Sequence, residues 1–345
     1  MKIIKKLLYI IMFFIFLLQS SNLNAYASIN SEIPYNIAVF INDFNDLFIS
    51  DVMKNLENIQ KENKTEVNFT FFDARGNQVI QNQNIDNALN DNFDLFVVNP
   101  VSTNIDELNS VLTKITQKNI PLIIYYAQTK SIINFIRPYR KGIIIDTDIE
   151  QSGILQGKIL SDIWASNNDA LDRNKDGVMQ YVMLKGPANS PETIARSKYS
   201  IQTLNDERIR TEELTSIACN WDKNCAKSAI ESYFLKNGNK IEAIIANNDA
   251  MAIGAIEALQ KYGYNKGDNS KYIPVVGVDA LPEAQELIKR GLMTGTVVQD
   301  PVTHANAIYT IGMNLISGNN PLNDTNYKFD NTGTTVRLPY TEYFK

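Results

Sequence analysis

Two hydrophobic patterns alternate along most of the chain. Short, nearly continuous apolar runs rich in Ile, Val, Phe and Tyr are typical of parallel strands covered on both faces. These runs are 37–41, 67–72, 95–98, 121–126, 142–146, 178–184, 241–246, 273–278 and 295–298. Between many of them, apolar residues recur at helical spacing in 48–62, 106–117, 152–164, 193–204, 223–235 and 250–262. The alternation predicts an α/β protein with parallel sheets and right-handed crossovers.

The length of 345 residues favours two domains, each with its own core. The segment 127–141 lacks clear periodicity and contains Pro138, so we expect a first crossing between domains there. Two doubly wound domains would enclose a crevice. In sheets of this kind ligands bind beyond the carboxyl ends of the strands, which directs attention to the residues after each run.

Composition narrows the function classes. Lys and Arg number 33 against 38 Asp and Glu, giving a formal charge of −5. A mildly acidic chain offers no basic surface for phosphate backbones, so we expect no nucleic-acid partner. One histidine and two cysteines leave little for zinc cages, Ser-His-Asp triads or Cys-His pairs. Much enzyme chemistry, in particular that of zinc sites and of histidine- or cysteine-based nucleophiles, is therefore disfavoured.

The amino terminus has the pattern of a secretory signal peptide. Three lysines within the first six residues precede a short apolar run, 7–18, and Ala25 and Ala27 provide small residues in front of Ser28. We predict that residues 1–27 are removed on export to the periplasm or the cell exterior, an uncleaved membrane anchor being the alternative. The first cysteine lies far beyond this segment, so a lipid-modified amino-terminal cysteine is not expected.

Polar and aromatic side chains follow successive strand runs. Each has a simpler interpretation, since Asp and Asn after strands are usually turn formers or helix caps, and lone aromatic residues usually belong to a core. Their recurrence favours one binding site for a neutral, polyhydroxylated ligand, because planar amides, carboxylates and a guanidinium pair with hydroxyl groups while rings cover the C–H faces of a sugar. The candidates are Asp46, Phe48, Asn99, Ser190, Glu192, Arg196, Trp221, Asn248, Asp279 and Gln299.

A nine-residue segment, 172–180, matches a calcium-binding loop. It has oxygen-bearing side chains at loop positions 1, 3, 5 and 9, glycine at position 6, and a residue at position 7 that needs only its carbonyl. Position 12 is Met183 instead of a bidentate glutamate, so a carboxylate must come from elsewhere, and Glu242 is our candidate. A solvated acidic turn is the alternative. The predicted ligands of a structural Ca²⁺ are Asp172, Asn174, Asp176, Val178, Gln180 and Glu242.

The sequence resembles the periplasmic galactose/glucose-binding proteins of sugar ABC importers over nearly all of the mature chain. The resemblance is carried by KIEAIIANNDAMA at 240–252, VGVDALPEA at 276–284, the calcium loop, and VRLPY at 336–340. It implies a type I periplasmic binding protein: two Rossmann-like lobes with parallel sheets, joined by three crossings near 126–130, 298–302 and 331–335. The implied lobes are 28–126 plus 301–332, and 127–300 plus 333–345 with the calcium loop.

The resemblance also implies hinge closure around one monosaccharide. Seven of the ten candidates match the hydrogen-bonding and ring-stacking residues of the family. The other three depart: Ser190 replaces histidine, Glu192 replaces aspartate and Gln299 replaces asparagine. The last two reach one methylene further, which indicates repacking around a related ligand. The resemblance therefore implies galactose or glucose, with another hexose or a pentose as the alternative.

Cys219 and Cys225 flank Trp221. In an exported protein we favour a disulfide, which would stiffen the loop that carries the ring, over two free thiols. We expect His304 to cap or decorate the helix after Pro301, without a ligand role.

Three functions are compared. The first is the soluble receptor of an ABC importer, a monomer that is not an enzyme and delivers sugar to a permease. The second is a secreted glycosidase using two of the carboxylates Asp46, Glu192 and Asp279, which would need an open subsite for the leaving group. The third is a sensory module that presents bound sugar to a chemoreceptor or sensor kinase. The export signal and the absence of DNA-reading helices in the sequence pattern exclude a repressor of the same fold.

Overall fold

The computed structural model describes residues 34–126 and 129–345. Its strands are β1 (Tyr35–Ile41), β2 (Val67–Asp73), β3 (Leu95–Val98), β4 (Leu122–Tyr125), β5 (Gly142–Thr147), β6 (Val178–Lys185), β7 (Arg210–Ala218), β8 (Ala243–Ala246), β9 (Val275–Asp279), β10 (Gly295–Val298), β11 (Thr335–Leu338) and β12 (Thr341–Phe344). Its α-helices are α1 (Leu47–Glu62), α2 (Gln78–Ala88), α3 (Ile105–Gln117), α4 (Lys130–Ile136), α5 (Ile149–Leu171), α6 (Pro191–Asp206), α7 (Lys223–Asn237), α8 (Asp249–Lys261), α9 (Pro282–Lys289) and α10 (Pro301–Ile316).

The strands form two six-stranded sheets. The first has the order β11-β5-β4-β3-β1-β2 and the second β12-β10-β9-β8-β6-β7. Neighbouring strands are parallel except β12, which runs antiparallel to β10. The predicted α/β class with two parallel sheets is confirmed.

Apolar runs became central strands because helices cover both faces of each sheet. Every residue of β3, β4 and β8 is buried. The edge strand β7 instead alternates between exposed and partly buried residues, so it carries no continuous apolar run. For that reason the hydrophobic pattern gives only a weak signal for it.

Helix packing shows where the chain passes between sheets. Ile159 and Leu160 of α5 pack with Val276 in the core of the second sheet, whereas Ile308 and Ile311 of α10 pack in the core of the first. The chain therefore crosses between β5 and α5, again between β10 and α10, and a third time between β11 and β12. We call 34–147 with 301–338 the first lobe, and 149–298 with 341–345 the second.

Two of the expected crossings are wrong. Residues 142–147 and 335–338 pair with each other inside the first sheet, so the first crossing follows Thr147 instead of lying near 126–130. The third follows Leu338 instead of lying near 331–335, and the boundaries placed at 127 and 333 move accordingly. Periodicity identified 142–146 as a strand, but it does not reveal which sheet a strand joins.

The predicted signal peptide, 1–27, lies outside the described residues. Within the part of the chain that the structure describes, no helix is both long enough and apolar enough to span a bilayer.

Candidate functional site

A cavity of about 120 Å³ opens between the two lobes at the carboxyl ends of their strands. Since one water needs roughly 10–15 Å³ on this measure, the cavity suits a single small molecule. All ten predicted binding residues line it. The structure adds Asn42, Ile49, Pro100, Val101, Thr103, Tyr126, Pro187 and Asn189, which the strand-end pattern did not single out.

The first lobe contributes a carboxylate, a ring and an amide. Asp46 caps α1 by accepting a hydrogen bond from the backbone N–H of Ile49 at 3.0 Å, and burial raises the pKa of its carboxyl while backbone N–H groups oppose that shift. The side chain of Asn99 donates to the carbonyl of Tyr125 at 3.1 Å. The buried Phe48 supplies the ring. Asp46 therefore caps α1 and also lines the cavity.

Arg196 is the centre of the second lobe's contribution, although it is only 4% exposed. Its Nη1 donates to the carbonyl of Asn247 at 2.7 Å, and its Nη2 donates to Oε1 of Gln299 at 3.1 Å. Its Nε is buried and has no hydrogen-bond partner among the described residues. The guanidinium carbon also lies 5.7 Å from the centroid of the Trp221 ring, a cation–π distance.

Ser190 and Glu192 form one unit at the start of α6. The hydroxyl of Ser190 donates to Oε2 of Glu192 at 2.5 Å and accepts from the backbone N–H of Thr193 at 3.3 Å. Oε1 of Glu192 is buried and unpartnered among the described residues. A buried acceptor without a donor costs free energy, so this oxygen is suited to accept from a ligand hydroxyl.

The loop that carries Trp221 is constrained at both ends. Cys219 and Cys225 are joined by a disulfide, which confirms the predicted bridge. Asn220 and Trp221 have φ of 51° and 69°, and the carbonyl of Trp221 accepts from the side chain of Asn248 at 3.3 Å. The constraint holds the indole against the cavity.

Gly186 makes room for this indole. A Cβ at position 186 would lie 2.3 Å from Cη2 and Cζ2 of Trp221 and 2.5 Å from the Thr193 hydroxyl. The ring therefore lies directly on the backbone at the end of β6, where only glycine fits without a shift.

Two buried acids lie on the second lobe's side of the site, and one of them, Asp279, lines the cavity. Burial raises the pKa of Asp279 above its ordinary value, with the charge of Arg196 opposing the shift. Burial likewise raises the pKa of Asp249 to about 7, although Asp249 accepts from the hydroxyl of Thr296 at 2.6 Å and from the N–H of Leu281 at 2.9 Å. The charge of Arg196 favours the ionised form of both carboxyl groups.

The expectation for His304 is wrong, because the side chain is buried under the cavity instead of decorating a helix surface. Its ring stacks on Tyr126 at 5.5 Å and meets Phe48 edge-on at 5.3 Å, and Nδ1 pairs with the hydroxyl of Tyr125 at 2.9 Å. Burial lowers the pKa of His304 to about 3, so the imidazole is neutral at physiological pH. It supports the aromatic wall from behind.

The predicted calcium loop connects α5 to β6. Oδ2 of Asp172 accepts from the N–H of Gly177 at 2.9 Å, and Oδ1 of Asp176 accepts from the N–H of Val178 at 2.8 Å. Gly177 has φ of 70°, in the left-handed region that favours glycine. These contacts close a tight turn in which glycine occupies the left-handed position.

Glu242 lies against this loop, as the sequence predicts. Its Oε1 accepts from the N–H of Arg173 at 2.6 Å and its Oε2 from the N–H of Gln180 at 3.1 Å. Burial raises the pKa of Glu242, and the nearby charge of Asp172 adds to the rise. Two carboxylates are thus held close together at a position where a cation would relieve their repulsion.

The residues of the loop fit a hard cation. Oδ1 of Asp172 is buried without a hydrogen-bond partner among the described residues. The amides of Asn174 and Gln180 both reach Oδ2 of Asp176, at 2.8 and 2.9 Å, so rotating each amide would present its oxygen. In the described ranges no group of three or more His, Cys, Asp or Glu side chains could hold a metal by itself. A cation here would therefore need the amide and carbonyl oxygens as well.

Comparisons with known proteins agree with this geometry. Residues 37–320 match the family described as the periplasmic binding protein domain. The chain is 33% identical over 317 residues to the D-galactose/methyl-galactoside binding periplasmic protein MglB of Haemophilus influenzae, covering 91% of each chain. It is 23% identical to the xylitol-binding protein of Mycolicibacterium smegmatis, covering 86% of this chain and 78% of that one.

Among solved structures, an ABC transporter solute binding protein of Bacillus halodurans with bound myo-inositol superimposes with a TM-score of 0.72. The two sequences are 22% identical, and the match covers 91% of this chain and 95% of that one, so this likeness shows the fold. Two parallel sheets around an inter-lobe cavity define a substrate-binding protein of type I. The chain belongs to the periplasmic binding protein family. The relatives named above are substrate-binding proteins and not enzymes.

Proposed function

We propose that this chain is the exported sugar-binding subunit of an ABC importer and that its ligand is one molecule of galactose or glucose. The observation that carries the proposal is the convergence of all ten candidate residues on one cavity. Buried amides, carboxylates and a guanidinium satisfy hydroxyl groups in both directions, and Phe48 and Trp221 provide apolar rings. The relative MglB supports galactose as the first ligand to test.

Calorimetric titration of the purified chain tests the ligand. We expect micromolar or tighter binding of galactose or glucose. The comparison arms are xylose, ribose, xylitol, myo-inositol and D-allose. Binding of one of these comparison ligands without binding of galactose or glucose would reject the assignment to galactose or glucose, but the ligand would still be a polyhydroxylated molecule. No heat with any of them would reject the proposal.

The three departures sharpen the choice of ligand. Glu192 and Gln299 are each one methylene longer than their counterparts in the resembling family, and Ser190 pairs with Glu192. If both longer side chains hold ligand hydroxyls, Glu192→Asp and Gln299→Asn will each weaken binding by about tenfold, the scale of one lost hydrogen bond. An unchanged or tighter affinity in either variant would show that the extra reach serves packing only.

Export is part of the proposal, since the relative MglB is a periplasmic protein. We expect the mature chain from a native host to begin at Ser28. Mass measurement of that chain checks the cleavage position, and an intact leader would favour the anchored alternative.

We propose, in addition, that Ca²⁺ binds the loop through Asp172, Asn174, Asp176, the carbonyl of Val178, Gln180 and Glu242. The buried, unpartnered Oδ1 of Asp172 supports this assignment. A cation that binds only the folded chain stabilises it in proportion to the logarithm of its concentration. The melting temperature should therefore be higher with Ca²⁺ than with a chelator, and Asp172→Asn should remove most of that difference. The exposed Asp91→Asn is the matched control. Equal melting temperatures with calcium and chelator would contradict the site.

A further inference from the structure

Tyr340 occupies the third crossing between the lobes. It lies between β11, the last strand of the first sheet, and β12, the edge strand of the second. Its side chain is only 3% exposed although it belongs to a short connection. A buried phenol must find partners for its hydroxyl, and the identity of those partners is informative.

The hydroxyl of Tyr340 contacts the other two crossings. It lies 2.8 Å from the hydroxyl of Thr147, the last residue before the first crossing. It also donates to Oε1 of Gln299, in the second crossing, at 2.7 Å. Arg196, from the cavity, donates to the same phenol oxygen through Nη2 at 3.2 Å. One hydroxyl thus joins all three connections and the cavity.

The donors and acceptors of this cluster are mutually consistent. Arg196 has only donors, so the Gln299 atom that faces it must be the oxygen. That oxygen then accepts the single proton of Tyr340, and Thr147 must donate to the phenol oxygen. With its oxygen occupied twice, Gln299 can offer only its Nε2 protons to a molecule in the cavity.

We propose that Tyr340 is a positioning residue that couples the hinge to the ligand site. Its hydroxyl holds the three crossings at one relative setting and fixes the amide of Gln299 so that the cavity meets a donor. The part concerning ligand affinity rests on the proposed sugar-binding function, whereas the part concerning the hinge does not.

Hydrogen exchange tests the hinge without any ligand. Tyr340→Phe removes only the hydroxyl, so the fold should persist, as a melting curve will check. Backbone amides in 147–151, in 298–300, and at 338, 340 and 341 should exchange about threefold faster or more, because local opening costs less. The matched control is Tyr272→Phe, which removes a phenol that pairs with Thr294 at 2.8 Å inside the second lobe. Unchanged exchange at the crossings, or the same change in the control, would overturn the proposal.

Binding tests the coupling. With whichever sugar binds the unmodified chain, Tyr340→Phe should weaken affinity by about five- to tenfold, while Tyr272→Phe should leave it unchanged. The effect should be lost in a Gln299→Leu background, since the two residues act through one hydrogen bond. Additive losses would mean that Tyr340 does not act through Gln299 and would overturn the coupling.

If the unmodified chain binds none of the sugars, the proposed function fails, and the exchange measurement still decides the hinge part. Should Tyr340→Phe fail to fold, Thr147→Val takes its place, because it removes another member of the same cluster and must produce the same faster exchange. Normal exchange in that variant would overturn the hinge part.

Discussion

The two lobes contribute to the cavity in different ways. The first supplies one carboxylate, the amides of Asn42 and Asn99 and the rings of Phe48 and Tyr126. The second supplies a buried guanidinium, two acidic side chains and an indole, and it alone contains the disulfide and the predicted calcium loop. Most of the charged side chains of the cavity, the disulfide and the predicted calcium loop therefore belong to the second lobe.

This difference suggests an order of events. Groups that are already buried and fixed lose little entropy when a ligand binds, so we expect the sugar to bind the second lobe first. The first lobe would then cover the ligand through hinge closure. Substitutions in the second lobe should accordingly weaken binding more than equivalent substitutions in the first.

The largest effect is expected for Arg196→Met. Removing the guanidinium leaves the carbonyl of Asn247 and Oε1 of Gln299 without their donor and takes away the charge that opposes the raised pKa of Asp279, and each buried acceptor left without a donor costs about 1–3 kcal/mol. Calorimetry should show affinity reduced by about a hundredfold or more. The exposed Arg290→Met serves as the control and should bind normally. Near-normal binding by the Arg196 variant would contradict the proposal that the sugar binds the second lobe first.

The two rings give a direct comparison between the lobes. Trp221→Leu and Phe48→Leu each keep an apolar side chain but lose the flat face. We expect a loss of about tenfold for Trp221 and about threefold for Phe48, within the range of aromatic contacts. Titration of both variants with the same sugar measures the ratio. A larger loss at Phe48 would reverse the proposed order.

The disulfide should have a smaller effect. Replacing Cys219 and Cys225 together by serine frees the loop under Trp221, and reordering a few residues should weaken sugar binding by about threefold. Calorimetry on the oxidised chain, the reduced chain and the double variant provides the measurement. Agreement between the last two is the internal control, and equal affinity in all three would show that Gly186 and Asn248 hold the ring without the bridge.

The smallest expected effect is on the pH dependence of stability. The pKa of Asp249 is raised to about 7, so the folded chain binds a proton that the unfolded chain releases near pH 4. The stability linked to this proton is complete below about pH 4 and is lost as the pH rises through 7. Between pH 5 and 8 this proton contributes a fall in melting temperature, which the lowered pKa of His304 opposes below about pH 6.5. Asp249→Asn should therefore make the slope of melting temperature against pH more positive, by about 3 °C over this range. An unchanged slope would contradict the raised pKa.

Much of this site could be predicted because strand ends converge. Residues far apart in sequence, such as Asp46 and Asp279, follow parallel strands whose carboxyl ends face one crevice. The loop 172–178 was predictable because its partners are close in sequence. Glu242 could be named only because the loop lacked a carboxylate at position 12.

The first and third crossings, the burial of His304 and the role of Tyr340 were missed for one physical reason. Each depends on which distant segments meet, and hydrophobic periodicity carries no such information. His304 is polar in a helix whose first turn could equally face solvent, and its burial is explained by its contacts with Tyr126, Phe48 and Tyr125. Tyr340 belongs to a matched motif, VRLPY, yet nothing in that motif shows that its hydroxyl meets Thr147 and Gln299.

The contact between Gly186 and the indole has a practical consequence for redesign. Since backbone already touches the back of the ring, the slot cannot be widened by letting Trp221 retreat. Redesign of the cavity for a larger ligand should therefore keep Gly186 and Trp221 unchanged. It should instead shorten the side chain of Glu192, whose Oε1 has no hydrogen-bond partner among the described residues, and keep Gln299, which pairs with Arg196 and Tyr340.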